Sequence, residues 1–252
     1  MSVPLDATRN HDLDRLRRQI AAMSGRPDRA AVEVSDPSDD VLPVPAPMAD
    51  LLPRGGVTRG SVSAVAGARS ALLAVIASVS GAGRQVGLVG MPQLNLGAVA
   101  ELGGDLTRIA TVPDPGADPV EVAGILLDGM DLVVLDLGGA QVPPSRTRVM
   151  MGRLRKQMSA LMITGGSWPG AQLRLDTEIV TYRHLPGTDA ADLAVARRGV
   201  GRIGGMTLRM TVTDRGHRRS VGDIDLLTSG FGPDRRVEMV ASPLRPRLAV
   251  AN

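Results

Sequence analysis

Between residues 48 and 170 the chain alternates short apolar runs, several of them apolar throughout, with amphipathic stretches of helical period, and this alternation restricts the fold more than any other feature. Val133, Val134 and Leu135 stand side by side in one such run. A strand with one wet face shows a period of two, so a continuous apolar run marks a strand covered on both faces. Runs at 61–66, 85–89, 108–112, 131–135 and 160–164 read as parallel strands, and 71–79, 97–102, 119–127 and 147–158 as the helices between them. After Gly170 the segments 173–182, 206–214 and 221–227 alternate with no helices between them, as antiparallel strands at one edge do. The expected class is α/β: a three-layer α/β/α core whose mostly parallel sheet is finished by antiparallel edge strands.

The core of such a fold must be almost wholly aliphatic, because Trp168, Tyr182 and Phe231 are the only aromatic residues. The absence of cysteine excludes disulfides, thiol chemistry and Cys-type zinc sites. His11, His184 and His217 are far apart and have no acidic partners at ligand spacing, so neither a metal nor a cofactor is expected. Basic charge comes from arginine; Lys156 is the only lysine, and any mechanism that needs a lysine must use it. The formal net charge of +3 is far from that of a dedicated nucleic-acid domain. No charged segment followed by an apolar one opens the chain and no apolar run is of spanning length, so a cytoplasmic protein without a membrane partner is expected.

At the start, Leu13, Leu16, Ile20 and Met23 fall on one face of a helix over residues 8–24, with Arg15, Arg17 and Arg18 between them. Gly25 and Pro27 stop it. The expected organisation is an N-terminal docking helix at 1–27, an Asp/Ser/Pro-rich linker at 28–47, the core at 48–230 and a basic tail at 231–252. Leu13, Leu16, Ile20 and Met23 are the docking candidates, with Arg245 and Arg247 of the tail beside them.

Residues 62–79 have the strand–glycine–helix order of a phosphate-binding loop. A working loop reads G-x-x-x-x-G-K-[ST]; its amides surround phosphates, its lysine reaches the outer ones and its hydroxyl binds Mg²⁺. Here Gly67-Ala68-Arg69-Ser70 runs straight into Ala71, without the second glycine or the lysine. The loop is about four residues short of the pattern. The run ending at Asp136 has the form of a Walker B strand, but without a loop lysine Asp136 reads as a relic or a turn-forming residue.

Residues 52–230 resemble the core of RecA. Gly55-Gly56-Val57-Thr58-Arg59-Gly60 is similar to the turn leading into its first core strand, and 87–103 to its second strand and helix. The resemblance implies that the family's catalytic glutamate falls on Met91 and its γ-phosphate-sensing glutamine near Gly165. With the lysine also missing, it implies a degenerate nucleotide site and no enzyme. The two DNA-binding loops of RecA would correspond to 138–146, stiffened by Pro143 and Pro144, and to a shortened 165–170. Among RecA relatives the whole pattern is similar to the ImuA-type proteins, especially the actinobacterial ImuA-prime form. That resemblance implies a scaffold of the SOS mutasome in DNA-damage tolerance. Its partner would be an ImuB-like inactive relative of Y-family polymerases and, indirectly, an error-prone DnaE-type polymerase in translesion synthesis. The N-terminal helix, as in RecA, could also hold a second copy or RecA itself. The alternatives are a DNA-binding module that caps or decorates RecA filaments and, against the missing lysine, an active ATP-dependent recombinase.

For DNA the candidates are Arg197, Arg198 and Arg202 in a glycine-rich loop, and Arg215 in a hairpin turn. Guanidiniums on flexible backbone meet phosphates; with no aromatic side chains interleaved to stack on bases, binding to single-stranded DNA should be weak. Arg148, Arg155 and Lys156 read as the solvated face of the 147–158 helix.

Overall fold

The computed structural model describes residues 40–184, 203–230 and 234–243. In chain order the elements are β1 (Val41–Leu42), α1 (Ala46–Ala49), β2 (Val57–Thr58), β3 (Val62–Gly67), α2 (Arg69–Gly81), β4 (Val86–Val89) and α3 (Leu96–Glu101). After them come β5 (Ile109–Val112), α4 (Pro119–Leu126), β6 (Leu132–Asp136), α5 (Pro144–Gln157) and β7 (Ala160–Thr164). Four longer or terminal strands close the order: β8 (Leu173–His184), β9 (Ile203–Asp214), β10 (Arg219–Ser229) and β11 (Arg236–Ala241).

Nine strands form one sheet in the order β11-β10-β9-β8-β3-β7-β6-β4-β5. Strand β3 is parallel to both neighbours, β7 and β8, and the parallel set continues through β6, β4 and β5. Strands β9, β10 and β11 add antiparallel to β8 and to one another. The sheet is therefore mixed and mostly parallel, with the antiparallel strands at one edge as expected.

Successive residues of β6 explain its unbroken apolar sequence. Leu132 and Val134 join an apolar cluster with Leu72, Val75 and Ile76 of α2. Val133 and Leu135 point the other way, into a cluster with Val120 and Ala123 of α4 and Met150 and Leu154 of α5. Each of these β6 side chains is fully buried, and burial of one such side chain stabilises by about 1.5–3 kcal/mol. The helix starts are set locally: Asp118 caps α4 by accepting from the Glu121 amide at 3.1 Å, with Pro119 as the first helical residue. Chain reversal after α5 falls to Met158, which takes a left-handed φ of 51°.

Two boundaries differ from expectation. Residues 40–47, read as the end of a linker, enter the fold: Val41 and Leu42 pair with Thr58 and Val57, and Leu42 is fully buried. A two-residue strand is too short to show a period, and the surrounding prolines and aspartates concealed it. Similarly, 236–241 of the expected tail forms β11, in register with β10 from Ile224↔Ala241 to Ser229↔Arg236. An edge strand with one exposed face can carry Arg236 and Glu238 at no cost to the core. Among the described residues no helix is long and apolar enough to cross a membrane.

Candidate functional site

The carboxyl ends of parallel strands are where open α/β sheets bind ligands, and here they carry Gly67, Met91, Asp136 and Gly165. Strand β3 ends at Gly67 and helix α2 begins at Arg69, so a single residue, the extended Ala68, joins them. The Ala68 amide donates to the carbonyl of Thr177 on β8 at 2.8 Å. Gly67 has φ +87°, and a Cβ there would stand 1.8 Å from that same carbonyl oxygen. Ser70 lies beside Met206, its Oγ 3.9 Å from the sulfur, and Arg69 is exposed. A phosphate site needs several unspent amides turned toward one point; this turn has no segment in which to gather them, and one of its amides is bound to β8.

Asp136, at the end of β6, turns its carboxylate onto its own chain: Oδ1 accepts from the Gly138 amide at 2.9 Å. Gly165, in the turn after β7, lies so close that a Cβ would be 2.1 Å from the same oxygen. Only glycine at φ +65° permits this approach. The Gly90 backbone closes the other side, its Cβ position 3.1 Å from the Asp136 carbonyl. Met91, next in the chain, packs with Leu94 and Leu96 against the α2-side cluster. Thus Asp136, Gly165 and the Gly90–Met91 turn meet, while Gly67 is set apart by the width of β7. What meets there is a carboxylate engaged in a turn and an apolar side chain.

The segments compared with the RecA DNA loops are bonded to each other, a relationship the sequence did not reveal. The Gly139 amide donates to the Gly165 carbonyl, the Ser167 amide to Ala140 at 3.1 Å, and the Val142 amide to Ser167 at 3.1 Å. Gln141 and Ser167 form a parallel bridge. Val142 and Trp168 anchor this strip in the α4/α5-side cluster. A backbone strip held this way is not free to follow a nucleic acid strand.

Arg215 is exposed at the tip of the β9–β10 hairpin. The turn is held by Asp214, which accepts from the Arg218 amide at 2.9 Å and from its Nε at 3.0 Å. The Arg218 amide is the chief cause of an Asp214 carboxyl held below its usual range. Arg197, Arg198 and Arg202 lie outside the described residues, as do Leu13, Leu16, Ile20, Met23, Arg245 and Arg247. Strand β9 leads into the β9–β10 hairpin. Its first residue, Ile203, follows Arg202 and its last, Asp214, precedes Arg215, a span of roughly 37 Å at about 3.4 Å per residue. Among the described residues no group of three His, Asp or Glu side chains could hold a metal ion.

Residues 50–170 match the model of a family described as the MT3502 N-terminal domain. Over 200 residues the chain is 41% identical to a Mycobacterium tuberculosis protein carrying the name Uncharacterized protein Rv3395c, covering 79% of this chain and 89% of that one.

Proposed function

This chain belongs to the family of Rv3395c, and from its closed β3–α2 turn we propose that it is a RecA-like accessory protein that has given up ATP chemistry. In this reading it serves as a scaffold of the SOS mutasome, holding an ImuB-like partner, and through it a DnaE-type polymerase, during translesion synthesis. The observation that carries the reading is the seating of Gly67 and Ala68 on Thr177, which leaves a one-residue connection where a phosphate loop would be. Further support comes from Met91, an apolar side chain where the general base would stand, and from the mutual pairing of 139–142 with 165–167. The division of the helices, α1 to α3 toward one apolar cluster and α4 and α5 toward the other, supports the three-layer α/β/α description.

Co-purification of the tagged full chain from its damaged native host, with identification of the bound proteins, tests the proposal. Recovery of an inactive polymerase relative is the expected result, and Leu16→Asp should reduce that recovery without moving the thermal midpoint of the core. Recovery of RecA filaments in its place would favour the capping alternative. ATP turnover by the purified chain would overturn both.

A further inference from the structure

Helix α5 carries Arg146, Arg148, Arg153, Arg155 and Lys156 and no acid. Two of these cations are engaged by the neighbouring helix, Arg146 by Asp118 and Arg153 by Glu121. Arg148, Arg155 and Lys156 are exposed and have no ion-pair partner among the described residues. Between them Val149 is 65% exposed, and Ile125, one turn beyond Glu121 on α4, is 61% exposed. These are the two most exposed large apolar side chains among the described residues. Beside Val149 a groove of about 230 Å³ runs between α4 and α5, with Val120 and Met150 in its lining.

Gly152 decides how this surface is read. It sits mid-helix, at i+3 from Val149 and i−4 from Lys156, on the exposed side of α5. A Cβ at Gly152 would meet nothing within 4 Å, and its φ is not positive. Nothing within the described fold requires glycine there, although glycine is a poorer helix former than alanine. The bare backbone leaves room for close approach to the helix from outside.

We propose that the outward face of α5, centred on Val149 and Gly152 and flanked by Arg148, Arg155 and Lys156, docks an acidic amphipathic helix of a partner protein. The apolar ridge of that helix would cover Val149 and the groove, its backbone would pass over Gly152, and its carboxylates would meet the three unengaged cations. A nucleic acid backbone would use the cations but would leave Val149, Ile125 and the glycine without a role. The inference deepens the scaffold reading by assigning a surface to it, and rests on that reading for the existence of a protein partner.

The test places a photo-crosslinking amino acid at Val149 of the full chain in the native host and maps the peptide joined to it. The expected adduct is a helical segment with apolar residues at i, i+3, i+4 and i+7 and with acids beside them. Gly152→Ala should raise the thermal midpoint, and Gly152→Leu should lower adduct yield at least tenfold while the chain stays folded. An adduct with nucleic acid, with a basic segment, or none at all would overturn the inference. So would a yield unaffected by Gly152→Leu. If a polymerase relative still co-purifies when Val149 gives no adduct, the scaffold reading stands and only this surface is wrong. An acidic helix from a protein unconnected with polymerases would support the surface and remove the mutasome assignment.

Discussion

Gly67 and Thr177 are in backbone contact: the glycine at the end of β3 lies where any Cβ would stand 1.8 Å from the Thr177 carbonyl oxygen. The contact joins the central strand to β8 and also occupies the position from which a phosphate loop would begin. Gly67→Ala combines a forbidden φ with a clash against backbone, which cannot rotate away. It should destabilise the chain by on the order of 3 kcal/mol, read as a shift in the urea midpoint. A midpoint within error of the wild type would mean that the turn can open, and with it the argument against nucleotide.

Hydrolysis of ATP should stay at background with or without single-stranded DNA. Met91→Glu alone should not raise it, because the base would stand near no bound phosphate. Phosphate release that disappears in Asp136→Asn would show an active site after all.

Arg59 and Asp131 bind the start of the parallel sheet together. The Arg59 guanidinium donates to Asp131 at 2.9 Å and to the Met158 carbonyl at 2.8 Å, and the Gln85 amide donates to the other carboxylate oxygen at 2.8 Å. Both side chains are nearly buried, 9% and 10% exposed. Removing one member of such a pair leaves the other charged and unpaired, at about 3–5 kcal/mol. Asp131→Ala should be worse than Arg59→Ala, since it also strips the Gln85 amide of its acceptor. Denaturant melts of the two variants and the double variant would measure this; equal losses would mean the amide finds water.

Asp118 makes the α4–α5 contact sensitive to acid. Its carboxyl is held below the ordinary value of 3.8, first by the hydrogen bond from Arg146 and then by the Glu121 amide. A depressed carboxylate contributes stability above its unfolded value and loses that contribution as pH falls through the folded one. The wild type should therefore lose thermal stability below about pH 4 more steeply than Asp118→Asn, in which the cap remains and the titrating charge is gone. Parallel curves for the two proteins would assign the acid loss elsewhere.

For DNA, binding should be weak and blind to sequence. If Arg197, Arg198 and Arg202 meet phosphates, log affinity against log salt should have a slope of about −2 on a single strand, at ~0.7 per contact. Alanine at all three should flatten it. Arg215→Ala alone should change little, because a single exposed arginine in a hairpin turn can meet about one phosphate. A large effect of Arg215→Ala would place the nucleic acid on the hairpin end.

The strands and helices between residues 62 and 164 were legible because their signals are local. Val133, Val134 and Leu135 declare a strand buried on both faces whatever lies beside it, and the missing lysine after Gly67 is visible without coordinates. The sequence alone likewise determined that the core would be almost wholly aliphatic and that no thiol could take part in it. Tertiary structure decided the rest, where the partner of each group is distant in the chain. That Ala68 donates to Thr177, that Gln141 pairs with Ser167, and that Val41 and Leu42 lie against β2 all depend on strand order, which a local period does not encode. The same holds for α5: its cations were plain in the sequence, but only the fold shows which ones α4 neutralises and which it leaves with Val149 and Gly152 on the open face.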